Sequence, residues 1–157
     1  MREMNLFSIR TSARKNYKRN YEKKKDILKM DFSANVPNEV WVSDVTFFKL
    51  DEKFYYICVI LDLYPRKVIA YKISSKHSTQ LITSPFELAY TSRQPQEGLV
   101  FHSDRGTQYI SYTFQKLLKM LNIKQSFSPS GKPHHNAVIF FVHEKRRIVQ
   151  GKLSFCQ

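Results

Sequence analysis

The chain has 157 residues, 42% hydrophobic and 14% aromatic, which suffices for one ordinary domain with a buried core and hardly for two. No apolar run approaches the roughly 20 residues of a membrane span, the basic amino terminus is not followed by an apolar leader segment, and two cysteines make neither a disulfide framework nor a metal site. Lysines and arginines number 26 against 13 acids, giving +13 and a pI near 9.8; this favours a polyanion, nucleic acid before an anionic membrane, and a cytoplasmic protein is expected.

Residues 1–30 hold ten lysines and arginines against three acids, with few core-forming side chains. The stretch up to residue 36 reads as a basic arm or linker, with Lys23, Lys24 and Lys25 as DNA-backbone contacts. A plain solvated leader is the blander reading of the same residues. Folded structure is expected from residue 37. "VWVSDVTFFKL" (40–50), "KFYYICVILDL" (53–63) and "RKVIAYKIS" (66–74) are β-branched and aromatic, separated by Asp51-Glu52 and Tyr64-Pro65, and predict an antiparallel meander. The nearly continuous apolar character of the second run predicts a central strand.

"STQLITSPFELAYTS" (78–92) has helical spacing, with Pro85 predicting a late start or a kink. "GLVFHS" (98–103) predicts a fourth strand and "TQYISYTFQKLLKMLN" (107–122) an amphipathic helix with Phe114, Leu117, Leu118 and Leu121 on one face. "IKQSFS" (123–128) predicts a fifth strand, "PSGKPHHN" a polar loop, and the residues from Asn136 a further helix. A meander followed by alternating elements implies a mixed α/β sheet flanked by helices.

Two acids stand out. Asp44 lies mid-strand, where a carboxylate is costly to bury unless paired, hydrogen-bonded or bound to a cation. Asp104 ends the fourth run in "FHSDRG"; it can meet Asp44 if the first and fourth strands are neighbours. Carboxylates converging in a basic protein suit Mg²⁺ or Mn²⁺ and two-metal phosphoryl transfer. The alternative is that Asp44 caps a bulge and Asp104 ends a strand, each bonded to backbone. Asp62, in "VILDL", is a third candidate for burial.

The blocks Trp-x-x-Asp at 41–44, His-Ser-Asp-Arg-Gly-x-Gln-Tyr at 102–109 and Ser-x-x-Gly-x-Pro at 128–133 resemble, in order and spacing, the integrase-core transposases of bacterial insertion sequences, relatives of the retroviral integrases. The resemblance runs from about residue 1 to 139 and implies a ribonuclease-H-like five-stranded mixed sheet carrying a DDE triad of metal-binding acids. It implies DNA transposition: strand cleavage at element ends, then transfer of the 3′-hydroxyl to target DNA, in a homo-oligomer. Asp44 and Asp104 take the places of the first two acids; Arg105, Lys132 and His134 would lie towards DNA. Asp62 has no counterpart in the triad and keeps a structural reading.

The third acid of the pattern, a Glu about thirty-five residues past the second Asp, falls here on Phe140, and the Asp that precedes Asn-Ala is His135. Glu144 is one helical turn further on, a displaced substitute at best. One permissible choice of codons for residues 142–157, read one base later, spells FMKREELYRENYHSA, which resembles the family's tail. The expectation is therefore an incomplete core at 37–141, a small deletion near codons 139–142, and a frameshifted tail at 142–157. The start resembles the segment just after the family's helix-turn-helix. Such a chain would be catalytically defective, with a DNA-binding remnant forming mixed oligomers with an intact transposase as the rival reading.

Overall fold

The computed structural model describes residues 26–29 and 31–128. The expected arm contacts Lys23, Lys24 and Lys25, the loop residues Lys132 and His134, the positions Phe140 and Glu144, the helix expected from Asn136 and the tail at 142–157 all lie outside them. Five strands and two helices follow in chain order: β1 (Val40–Leu50), β2 (Lys53–Asp62), β3 (Lys67–Ser74), α1 (Gln80–Arg93), β4 (Val100–Ser103), α2 (Tyr112–Met120) and β5 (Lys124–Phe127). Among the described residues no helix is long and apolar enough to cross a membrane.

The sheet order is β3-β2-β1-β4-β5. The first three strands form the expected antiparallel meander. At its first turn Asp51 (φ 45°) and Glu52 (φ 63°) are both left-handed, the geometry of a type I′ hairpin, whose twist matches the strands it joins. Asp51 tolerates that conformation, but Glu52 does not favour it. Replacing the pair with Asn-Gly is expected to stabilise the protein by about 1 kcal/mol, read as a higher urea midpoint at unchanged slope. The Lys49–Glu52 ion pair lost with it (2.7 Å) is exposed and contributes little.

Alternation along the strands divides the core between the two faces of the sheet. Trp41 from β1, Cys58 and Ile60 from β2, Ala70 from β3 and Phe101 from β4 face the helices, packing on Leu81, Ile82, Phe86 and Ala89 of α1 and Phe114 and Leu118 of α2. Val40, Val42, Ile57, Val59, Leu61 and Leu63 face the other way, against Leu28, Phe32 and Ala34. Because β2 is buried on both faces, its sequence is apolar almost without interruption.

Helix boundaries depart from the sequence reading. The helix α1 runs through Pro85 from Gln80 rather than starting after it. Pro85 is in the second turn and so forfeits one bond of the ladder, while its ring is buried in the core. The α2 helix begins at Tyr112, not near residue 107, because Ser111 takes the N-cap with extended backbone and its hydroxyl accepts from Phe114 N–H. It ends in a Schellman motif: Asn122 is left-handed (φ 54°), Ile123 N–H donates to Leu118 O and Asn122 N–H to Lys119 O.

Candidate active site

The site is assembled by the pairing of β1 with β4. These strands are parallel, in the register Val40↔Val100 through Ser43↔Ser103. Asp44 follows that last pair within β1, and Asp104 is the first residue past the end of β4. The two residues sequence reasoning singled out, sixty positions apart, thus leave adjacent strands side by side. By alternation both are on the face of Val42 and His102, and both are half-buried. Asp104 Oδ1 accepts the Gly106 N–H at 2.9 Å, closing a tight turn. A Cβ at position 106 would lie 3.0 Å from that oxygen, which is why glycine stands there.

A buried polar cluster underlies the pair on the opposite, helix-packed face. Tyr109 Oη and Ser43 Oγ share a hydrogen bond of 2.7 Å, and Cys58 Sγ lies 3.5 Å from Ser43 Oγ. Burial above all, with the neighbouring Cys58 and the Asp44 and Asp104 carboxylates adding to it against the Ser43 hydrogen bond, holds the Tyr109 phenol well above its ordinary pKa. It is a neutral hydroxyl. The same residue's carbonyl accepts from Gln125 Nε2 at 2.9 Å. Gln108 Nε2 reaches a ring nitrogen of His77 at 2.9 Å, and His77 stacks on Tyr56 with centroids 4.6 Å apart.

On the carboxylate face, His102 Nδ1 is 2.9 Å from Ser126 Oγ and Nε2 is 3.0 Å from Ser128 Oγ. Ser126 Oγ also accepts Ile27 N–H at 2.9 Å, which ties the segment leading out of the basic arm to β5. Phe32 meets the imidazole edge-on at 5.7 Å. Burial pushes the His102 pKa down to about 4, only partly offset by Asp26, so the ring is neutral near pH 7. His102 and Ser128 stand in the motif blocks quoted above without a role of their own, and Ser126 and Phe32 were not picked out from the sequence. The one local signal was that His102 precedes Asp104 by two positions, the spacing of a shared strand face.

Asp62 is fully buried, and its carboxylate accepts Asn38 N–H at 3.0 Å and Tyr64 N–H at 3.3 Å. That is the structural role expected of it. Arg105 is half-buried directly after Asp104. Among the described residues no three of His, Cys, Asp and Glu gather into a metal-binding group. Asp44 and Asp104 supply hard oxygen donors alone, since both ring nitrogens of His102 are occupied by serine hydroxyls. Such a donor set fits a hydrated Mg²⁺ or Mn²⁺, which takes one or two carboxylates and keeps several waters.

A five-stranded mixed sheet with an antiparallel meander, a parallel fourth and fifth strand and acids at the junction of the first and fourth defines the ribonuclease-H-like class. The chain belongs to the integrase core domain family, which matches residues 34–133. It is 32% identical over 126 residues to the transposase of insertion sequence IS904 from Lactococcus lactis, covering 79% of this chain and 50% of that protein. It is 33% identical over 129 residues to transposase InsF of IS3A from Escherichia coli, covering 81% and 45%. The chain thus spans about half the length of the curated relatives it matches. Among solved structures, the HTLV-2 integrase catalytic core in complex with magnesium superimposes with a TM-score of 0.55 at 25% identity, over 61% of this chain and 63% of that one. The simian T-cell lymphotropic virus intasome does so with a TM-score of 0.62 at 20% identity, over 71% and 39%.

Proposed function

We propose that this chain is the catalytic-core portion of an insertion-sequence transposase that retains two metal-binding acids and DNA affinity but has lost strand cleavage and transfer. The observation that carries the first half is the parallel pairing of β1 with β4, which sets Asp44 beside Asp104. Mg²⁺ or Mn²⁺ held there, two ions in a complete site, would supply Lewis acidity for phosphoryl transfer. The chain's own part is to present two fixed oxygen donors, one of them braced by Gly106 N–H, and to draw phosphodiester backbones through its net charge of +13. Lys23, Lys24, Lys25, Arg105, Lys132 and His134 are the proposed contacts to element ends and target DNA.

The second half rests on Phe140, which occupies the place of the third acid and has no donor atom. Glu144 is the displaced substitute, and a small deletion near codons 139–142 accounts for the missing acid and the unmatched tail. Domain limits of 1–36 for the arm, although Leu28, Phe32 and Ala34 of it already pack on the sheet, 37–141 for the incomplete core and 142–157 for the aberrant tail belong to this reading, as does assembly with further copies or with an intact transposase. A supercoiled-plasmid nicking assay in Mg²⁺ is expected to give no turnover above that of Asp104→Asn. Turnover that Asp104→Asn abolishes would overturn the loss of activity and make Glu144 the residue to replace next. The positive charge favours one second reading, a non-catalytic DNA-binding remnant that interferes with intact transposase. It requires salt-sensitive DNA binding that Asp44→Asn leaves unchanged.

A further inference from the structure

Beyond Ser43↔Ser103 the paired backbones of β1 and β4 part company. Asp44 continues in a strand, whereas Asp104 enters an irregular turn that runs to the Ser111 cap. The separation of the two carboxylates therefore depends on how that turn is held against β1, and ladder hydrogen bonds no longer hold it. A buried side-chain hydrogen bond crosses from the turn to β1 next to Asp44: Tyr109 Oη to Ser43 Oγ, 2.7 Å long between residues that are 1% and 2% exposed. The far end of Tyr109 is pinned as well, its carbonyl accepting from Gln125 Nε2 of β5. Tyr109 thus spans from β5 to β1 behind the strand that carries Asp104, and Phe114 and Phe101 meet its ring at 6.0 and 6.3 Å. Ser43 is one covalent step from Asp44.

We propose that Tyr109 and Ser43 are positioning residues that set the spacing of Asp44 and Asp104 for a divalent cation, acting from the opposite face of the sheet without touching the ion. This rests on the reading of Asp44 and Asp104 as metal ligands. The pair is well suited to the task because both hydroxyls are buried, so water does not compete for them. An aliphatic or phenylalanine packing there would fill the same volume while leaving the turn free to shift by fractions of an ångström, which small, geometrically strict cations do not tolerate.

Mn²⁺ binding to the full chain, followed by electron paramagnetic resonance of the free ion, tests this without any need for turnover. Tyr109→Phe removes one oxygen and keeps the ring and the Gln125 contact; Ser43→Ala removes the partner hydroxyl and serves should the first variant fold poorly. Each is expected to weaken Mn²⁺ binding about tenfold, the usual effect of losing a group that orients a ligand. The double variant is expected to be no weaker than either single one, because both remove the same bond. A merely structural role would lower the melting temperature and leave Mn²⁺ affinity in place. Affinity within about twofold of the parent in both single variants, with Asp104→Asn abolishing binding, overturns the positioning role and leaves the metal site standing. Binding that Asp104→Asn leaves intact overturns the metal site and this inference with it.

Discussion

Phe86→Ala is expected to cost about 3–5 kcal/mol, a large fraction of the roughly 5–15 kcal/mol that stabilises an ordinary domain. Phe86 is fully buried and sits where the aromatic core converges: its ring is 5.3 Å from Phe101, 5.5 Å from Phe114 and 6.3 Å from Trp41, each edge-on. Truncation removes the transfer free energy of the ring, the edge-to-face contacts and the packing between α1 and the sheet, and leaves a cavity flanked by rigid aromatics that cannot close over it. The single tryptophan, Trp41, reports the change directly. Its emission should shift to the red in the variant under conditions where the parent is folded. An unchanged urea midpoint would show that the core collapses around the gap.

Asp62→Ala is expected to destabilise by about 2–4 kcal/mol, whereas Asp44→Asn and Asp104→Asn, which keep a side-chain oxygen, should cost less in the metal-free protein. The three acids are alike in sequence, each at or inside a β-run, but differ in what they bond. The Asp62 carboxylate satisfies the N–H groups of Asn38 and Tyr64, and its removal strands two donors where the chain enters β1 and leaves β2. Asp104→Asn keeps an oxygen for Gly106 N–H while removing one of two like charges on neighbouring strands. Denaturant melts of the three variants side by side check the contrast. A loss at Asp104 equal to that at Asp62 would mean that its charge is structural.

The strands were legible because their signals are local. Runs of β-branched and aromatic residues set β1, β2 and β3 to within a residue at either end, and the doubly buried β2 was recognisable from its unbroken apolar stretch. The adjacency of Asp44 and Asp104 followed from the same runs once the first and fourth were taken as neighbours. Helix limits were less legible. Tyr109 fits an amphipathic pattern from Thr107, but its hydroxyl is drawn under β1 by Ser43, so residues 107–110 form turns and Ser111 takes the cap. Gln108 and Tyr109 turn from helix residues into anchors for that reason. His102 and Ser128 were present in the motif blocks, but their bonding with Ser126 was not legible because hydroxyl and imidazole partners from separate segments leave no periodic trace.

The position of β1 in the sheet also orders the events of folding. Its pairing with β2 closes through a two-residue turn, whereas its pairing with β4 joins Val40 to Val100 across sixty intervening steps of chain. Loop-closure entropy makes the first contact early and the second late. Asp44 is therefore placed while the meander forms, and Asp104 arrives only when the long-range pairing of β1 with β4 is made. The carboxylate pair is a readout of folding beyond the meander: a chain arrested there would carry half a site, and the charge repulsion between the two acids is met only when β4 joins β1.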